Sequence, residues 1–237
     1  DYYDWDGDGD QDLFVTEYNQ RLIKIYLNDG NGNFTLNQDL LISSTRPYAI
    51  RVADINNDNY PDFLISSFTA DTSGDLYVLL DSINNANVSW YVNDGNNSFT
   101  HWLTISDKAA ITLDIYQDND QEVTSIVAAE IQAGEVTVYT QKNTTVERKV
   151  IDSGGGSYGA AFGDIDDDGL PDVLAAHYQP SKLNLLYNLG NNEFSSATTL
   201  LSLDEGVTAA AFGDFNNDSY KDVASGEFNS NRFFFLA

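Results

Sequence analysis

The sequence has no cysteine, two histidines and few basic residues, and each of these shortages excludes a class of function. Without cysteine there can be no disulfide scaffold, thiolate zinc site or cysteine nucleophile. With His101 and His177 as its only histidines, the chain cannot build a histidine-rich transition-metal site. No apolar run approaches the ~20 residues that a membrane helix needs, so we expect no membrane insertion.

Acidic residues greatly outnumber basic ones, with 37 Asp+Glu against 11 Lys+Arg in 237 residues and a net charge of −26. The phosphate backbone of a nucleic acid would be repelled, so we expect no nucleic-acid partner. Hydrophobic residues make up 42% and aromatic residues 13%, too much for a disordered acidic tail, so the chain folds. There is no signal-peptide pattern, yet Asp1 is not an initiating residue, so we expect a mature or trimmed piece.

An acidic nine-residue segment recurs five times along the chain. The segments, named loops one to five, are residues 4–12, 54–62, 114–122, 164–172 and 214–222. Their starting points are 50, 60, 50 and 50 residues apart, a regularity that chance does not produce. The longer second interval indicates an insertion within 69–86.

The sequence around the loops also repeats, and it predicts short strands. A strand of small residues precedes a loop, as in 158–163 and 207–213, and a β-rich strand follows it, as in 173–176. A third strand then leads to an Asn-Asp-Gly type of turn and a fourth strand, which is a hairpin signal. No segment has a sustained helical apolar period, so long helices are not expected.

Units of about 50 residues with four short strands each are typical of propeller blades. We predict an all-β protein, a β-propeller of about five four-stranded blades in one domain spanning 1–237. The predicted blades are approximately 1–45, 46–106, 107–155, 156–205 and 206–237. A Greek-key sandwich is the rival all-β fold, but it predicts no fixed period.

The loops have the residue pattern of calcium sites. Ca²⁺ takes six to eight oxygen ligands, and Asp or Asn at positions 1, 3 and 5 of a loop can turn three side chains towards one centre. Position 9 adds a carboxylate and position 7 a backbone carbonyl. Position 6 favours residues that tolerate positive φ, and it holds Gly9, Asn59, Asn119, Gly169 and Ser219. An EF-hand is excluded because its 12-residue loop ends in Glu between two helices. Solvated Asp/Asn turns without metal are the remaining alternative.

The predicted calcium ligands share loop positions 1, 3, 5, 7 and 9. They are Asp4, Asp6, Asp8, Asp10, Asp12, Asp54, Asn56, Asp58, Tyr60, Asp62, Asp114, Asp118, Asp120, Glu122, Asp164, Asp166, Asp168, Leu170, Asp172, Asp214, Asn216, Asp218, Tyr220 and Asp222. Loops one and four, with four carboxylates at positions 1, 3, 5 and 9, should bind best. Loop three has Tyr116 at position 3, and a metal-free turn is an open alternative there. We therefore expect four to five Ca²⁺ ions.

The loop pattern, entered by Phe-Gly-Asp and left by Tyr-Pro-Asp or Leu-Pro-Asp, resembles the FG-GAP/VCBS repeats of integrin α-subunit propellers and many secreted microbial proteins. The resemblance implies a β-propeller with calcium in the loops joining first and second strands. It also implies an extracellular or cell-surface location and a role in adhesion or recognition of a protein or glycan. Family members commonly have seven blades, so the chain can be part of a larger propeller. Tyr116 and the missing Gly-Ala-Pro half of the motif depart from the family pattern.

A second candidate site lies five residues beyond position 9, where polar residues vary and aromatics follow them. Its predicted ligand-binding residues are Glu17, Tyr18, His177, Tyr178, Glu227 and Phe228. Packing of these aromatics between blades is the alternative. We expect no enzyme activity, because the two histidines lie in unrelated repeat contexts and most carboxylates belong to the loops. The remaining alternatives are a lectin, the non-catalytic part of a polysaccharide-degrading enzyme, and a propeller lyase or hydrolase.

Overall fold

The computed structural model describes residues 1–41, 46–69, 83–96, 98–118, 123–228 and 232–236. These residues form nineteen β-strands and no helix, so none of them belongs to a helix that could cross a membrane. The chain divides into two compact units, Asp1–Ala110 and Ile111–Ala237.

The first unit contains two four-stranded antiparallel sheets. The strands of the first sheet are β1 (Tyr2–Tyr3), β2 (Asp12–Glu17), β3 (Leu22–Asn28) and β4 (Phe34–Leu40). Those of the second are β5 (Pro47–Ala53), β6 (Asp62–Thr69), β7 (Asn84–Asn93) and β8 (Phe99–Ser106). Part of the predicted insertion, residues 70–82, lies outside the described residues.

The second unit contains three antiparallel sheets, whose first strand begins at the unit boundary. The third sheet consists of β9 (Ala110–Asp118), β10 (Val123–Glu130), β11 (Glu135–Lys142) and β12 (Thr145–Ser153). The fourth consists of β13 (Gly155–Gly163), β14 (Asp172–Gln179), β15 (Lys182–Leu186) and β16 (Thr198–Ser202). The fifth has three strands among the described residues, β17 (Val207–Gly213), β18 (Asp222–Glu227) and β19 (Phe233–Leu236).

The strand order within every sheet is the order along the chain. Five such meanders confirm the predicted all-β propeller, and a Greek key, which would break that order, is wrong. The first and second strands of a sheet pair antiparallel, as Gly163 with Asp172 in the fourth sheet. The acidic loop therefore joins their adjacent ends.

Alternating side chains of the strands build the cores. In β3, Ile23 and Ile25 are buried while the residues between and beside them are half-buried, the period of two expected for a strand. They pack with Phe14 and Phe63 in the first unit. Each fully buried side chain of this size stabilises the fold by about 1.5–3 kcal/mol relative to exposure.

The first strands need small residues because other strands pack closely against them. A Cβ on Gly159 would lie 3.0 Å from the Cβ of Ala176 and 3.4 Å from the Cα of Ala209 in the fifth sheet. A Cβ on Gly163 would lie 2.4 Å from the Phe212 ring. Close approach between the fourth and fifth sheets therefore explains why these first strands are rich in Gly and Ala.

Candidate functional site

Loops one, two, four and five have closely similar internal hydrogen bonds. The position-1 carboxylate accepts the loop's own backbone N–H groups with both oxygens. In loop four, Asp164 accepts N–H groups from Asp168 at 3.1 Å and Gly169 at 2.9 Å. Asp54 and Asp214 accept from positions 5 and 6 in the same way, and Asp4 accepts from positions 4 and 6. These bonds bend the loop around its first carboxylate.

Two positions in each of these loops have the left-handed backbone conformation. The prediction of positive φ at position 6 is confirmed in loops one, two, four and five, as at Gly9 and Ser219. Asn119 of loop three lies outside the described residues. Position 4 also has positive φ, at Gly7, Asn57, Asp167 and Asn217. The sequence carries this signal, because Gly, Asn and Asp are the residues that tolerate it best.

The position-5 carboxylate accepts the backbone N–H of position 7. The distances are 3.0 Å from Asp8 to Asp10 and 2.8 Å from Asp168 to Leu170. Tyr60 and Tyr220 donate to Asp58 and Asp218 at 2.9 Å. Coordination by the position-7 carbonyls stays a prediction.

The position-9 aspartate joins its loop to the hairpin turn after the third strand. Asp172 is buried, and it accepts N–H groups from Ile165 at 3.0 Å and Asn188 at 2.8 Å. The Asn188 side chain in turn donates to the carbonyl of Pro171 at 3.1 Å and accepts from Gly190 at 3.0 Å. This arrangement, named the Asp–Asn latch, fixes the turn against the loop.

The latch recurs in the first unit. Asp12 accepts from Trp5 and Asn28, and Asp62 accepts from Ile55 and Asn93. The sequence showed the constituent residues, with the turn's Asn 16 residues after Asp12 and 31 residues after Asp62, but it did not show their contact. Asp222 of loop five accepts from Phe215 at 2.9 Å and Asn216 at 3.3 Å.

Carboxylates gather in loops one and four. One oxygen from each of Asp4, Asp6 and Asp8 lies within 4.8 Å of the others, and Asp164, Asp166 and Asp172 do the same. Hard oxygen donors at this spacing fit a hard divalent cation such as Ca²⁺. These are the two loops that carboxylate counting ranked first.

Burial and mutual repulsion raise the free-energy cost of ionising several loop carboxylates in the absence of a cation. Burial raises the pKa of Asp62 to about 6, although N–H groups of Asn93 and Ile55 act in the opposite direction. Burial also raises the pKa of Asp172. Desolvation and the neighbouring carboxylates of Asp8 and Asp12 raise the pKa of Asp6. A bound cation would relieve this cost.

The described part of loop three, residues 114–118, differs from the corresponding positions of the other four loops. Strand β9 continues to Asp118, and the position-1 carboxylate of Asp114 accepts N–H groups from Ile115 at 3.0 Å and Phe162 of β13 at 2.9 Å. Asp114 therefore joins two sheets. Asp120 and Glu122 lie outside the described residues, and metal binding by Asp114 and Asp118 stays a prediction.

The second predicted site lies at the far ends of the second strands, where its polar residues have partners. His177 is 2% exposed and Glu227 is 5% exposed. Glu227 accepts from Arg232 at 2.8 Å and from the backbone N–H of Glu205 at 3.2 Å. Glu17 lies 3.5 Å from the Lys24 ammonium and is half-buried. Ligand binding by these residues stays a prediction, but their contacts favour a structural role.

The aromatics of that set pack against one another and their neighbours. Tyr18 contacts Tyr48 and Phe68, with ring centroids 6.2 and 5.9 Å apart. Tyr178 contacts Tyr158 at 5.4 Å and Phe228 at 5.9 Å. The contacts of Tyr18, and that of Tyr178 with Phe228, cross between neighbouring sheets within each unit, as the packing alternative expects. The contact of Tyr178 with Tyr158 lies within the fourth sheet.

His177 lies in a buried network with a serine and an aspartate. Its Nδ1 is 3.1 Å from the Ser157 hydroxyl and its Nε2 is 3.0 Å from Asp152, which also accepts from Asn184 at 2.7 Å. The set has the residue types of a hydrolase triad. However, Ser157 has 0% exposure, so its hydroxyl has no route to a substrate in this conformation.

Asp152 gives a prediction for acid stability. Burial opposes its ionisation, but hydrogen bonds from His177 and Asn184 outweigh burial and hold its pKa below the usual value. A lowered pKa stabilises the fold above the unfolded-state pKa, near 4, and this stabilisation is lost as pH falls through the folded-state pKa. Asp152→Asn should cost about 1–3 kcal/mol of unfolding free energy at pH 7, and this cost should shrink as the pH falls below about 4. Urea unfolding across this range measures it; an equal cost at all pH values would contradict the prediction.

Sequence reasoning missed Glu130, a buried acid at the same end of the third sheet. Its carboxylate accepts hydrogen bonds from Tyr139, from Thr137 at 3.1 Å and from Arg148 at 3.2 Å. Glu130 ends β10, eight residues past Glu122, so it does not fall at the position five residues past position 9. The signal available was the repeated acid at the end of the second strand, as in Glu17 and Glu227.

The meander sheets and their acidic loops define the class as a repeat-built β-propeller. The chain belongs to the FG-GAP-like repeat family, whose family model matches residues 4–65 and 164–225, just over half of the sequence. No curated protein matches the chain.

Solved structures also resemble this fold, with 59 matching chains. One is the crystal structure of BBS1N in complex with ARL6DN, soaked with mercury, at a TM-score of 0.55 and 9% identity. The match covers 98% of this chain and 77% of that chain. At that identity the likeness shows the fold alone.

Proposed function

We propose that the protein is an extracellular, calcium-binding propeller that acts as an adhesion or recognition module. The clustering of carboxylate oxygens within 4.8 Å in loops one and four is the observation that carries calcium binding. The turn geometry around them holds hard oxygen donors towards one centre before any cation arrives. Ca²⁺ would be held by the side chains of positions 1, 3, 5 and 9.

Loops two and five support weaker binding. In them the position-3 amide donates to the position-5 carboxylate, from Asn56 to Asp58 at 2.9 Å and from Asn216 to Asp218 at 3.0 Å. This neutral donor partly takes the place of a cation. Each of these two loops also offers one carboxylate fewer than loops one and four. Loop three should bind weakest, because Tyr116 supplies no carboxylate.

Counting bound ions tests the proposal. Native mass spectrometry in about 1 mM calcium should show four ions, since extracellular sites bind at roughly 10⁻⁴–10⁻³ M. Asp166→Asn should weaken one of the two strongest sites by about tenfold, because it removes one carboxylate from a charged cluster. Asp204→Asn, an exposed change outside the loops, is the matched control. Equal loss in both variants, or no bound ion, would refute the proposal.

The recognition role rests on the propeller fold of the FG-GAP-like repeat family. A lectin or the non-catalytic part of a polysaccharide-degrading enzyme is the second candidate. A specific observation favours it, namely a polar and aromatic cleft in the second unit.

A further inference from the structure

A cleft of about 420 Å³ lies in the second unit between the third and fourth sheets. All four strands of the third sheet line one wall, from Tyr116 of β9 to Glu147 of β12. The other wall includes Phe162 of β13, Leu170 of loop four and the turn at 188–194. The cleft thus lies at the strand ends that carry the acidic loops. The second predicted site, with His177 and Glu227, lies at the opposite strand ends.

We propose that this cleft binds a short, neutral oligosaccharide. It brings together the three groups that recognise a sugar, which are aromatic rings, carboxylates and side-chain amides. Tyr116, Phe162 and Phe194 supply rings that can cover the apolar face of a sugar. Glu147 can accept hydrogen bonds from adjacent hydroxyls, and Asn191 can both donate and accept.

The dimensions of the cleft fit an extended ligand. Four adjacent strands at about 4.8 Å spacing make a wall roughly 14 Å across. Hydroxyl and amide side chains occur along that wall and opposite it, including Ser125, Thr140 and Asn192. Polar partners spaced over this length suit several linked sugar rings better than one small molecule.

Charge excludes an acidic ligand. The chain's net charge of −26 and the carboxylates of Asp118 and Glu147 would repel an acidic glycan. The same carboxylates would attract a basic peptide, which is therefore the competing ligand. The lining favours a sugar over that peptide because its aromatic rings and side-chain amides match the apolar faces and the hydroxyl groups of a sugar.

The cleft gives a physical reason for the departure of loop three from the repeat. Tyr116 stands where a metal loop has its second ligand, and the residue is 37% exposed and lines the cleft. Leu170 belongs both to this lining and to loop four, so calcium in loop four would fix one wall of the cleft. This inference deepens the proposed recognition role, and we expect calcium to strengthen sugar binding.

Titration of the full chain with cellotriose, maltotriose, mannotriose and chitotriose tests the proposal, with backbone amide NMR as the readout. At least one trisaccharide should shift the signals of Asn191 and Asn192 below about 10 mM. Tyr116→Ala should weaken binding by about tenfold, and Glu147→Gln by about threefold. Both residues are exposed, so calcium-saturated melting should stay unchanged. Asp204→Asn is the control and should leave affinity within about twofold.

Three results would overturn the assignment: no trisaccharide binding, undiminished binding by Tyr116→Ala, or shifts produced only by the basic peptide acetyl-Gly-Arg-Gly-amide. The last result would assign the cleft to a protein partner instead.

Calcium-dependent melting is measured separately. If calcium stabilises the protein and no sugar binds, the cleft assignment fails alone. If a sugar binds and calcium has no effect on melting, the calcium proposal fails alone.

Discussion

Calcium at about 10 mM should raise the melting temperature of the protein by at least about 10 °C relative to its melting temperature in the presence of a chelator. Each loop that binds only in the folded state contributes RT ln(1 + [L]/Kd), about 1.4–2.7 kcal/mol at 10–100 times Kd. Four such loops stabilise the fold by roughly 6–11 kcal/mol, and each kcal/mol shifts the melting temperature of a chain this long by about 2–4 °C. Relief of repulsion among Asp4, Asp6 and Asp8 is the physical source.

Differential scanning calorimetry with calcium, with chelator and with magnesium measures this effect. Magnesium at the same concentration controls for ionic strength and should stabilise much less, because it keeps its water ligands. Identical melting in calcium and chelator would contradict calcium binding by the folded loops.

Asp172→Ala should lower the unfolding free energy by about 3–5 kcal/mol even in chelator. Both oxygens of this buried carboxylate accept backbone N–H groups, from Ile165 and Asn188. Without them two half-buried donors lose their partners, at about 1–3 kcal/mol each, and the turn after β15 loses its attachment to loop four. Urea unfolding in chelator measures this loss.

Asp166→Asn is the matched control for that change. Asp166 lies in the same loop and is exposed, so its substitution should not destabilise the metal-free protein. Loss of its repulsion with Asp172 should instead favour the fold slightly. The same substitution should still weaken calcium binding. Equal destabilisation by both variants in chelator would show that the Asp–Asn latch has no stabilising role.

The repeat period made the fold predictable. Loops spaced by 50 or 60 residues located five sheets, and the residue types at position 6 predicted the positive φ found at Gly9 and Ser219. Positive φ at position 4 could have been predicted from Gly7 and Asn57 on the same grounds. Local backbone chemistry is readable from sequence because each residue type has its own steric limits.

Contacts between distant segments were not predictable. His177 looked like a variable polar residue, but Asp152 of the preceding sheet and Ser157 enclose it. Tyr116 looked like a defective metal ligand, and only the approach of the fourth sheet gives it a cleft to line. Such roles depend on packing between sheets, which a repeat pattern does not encode residue by residue.

Anomalous diffraction from crystals grown with calcium tests the central claim most directly. Our account predicts peaks inside loops one, two, four and five, strongest beside Asp6 and Asp166, and little or none in loop three. Peaks of equal height in all five loops would contradict the ranking of the loops. Calcium-containing crystals without a peak in any loop would contradict the calcium-binding function itself.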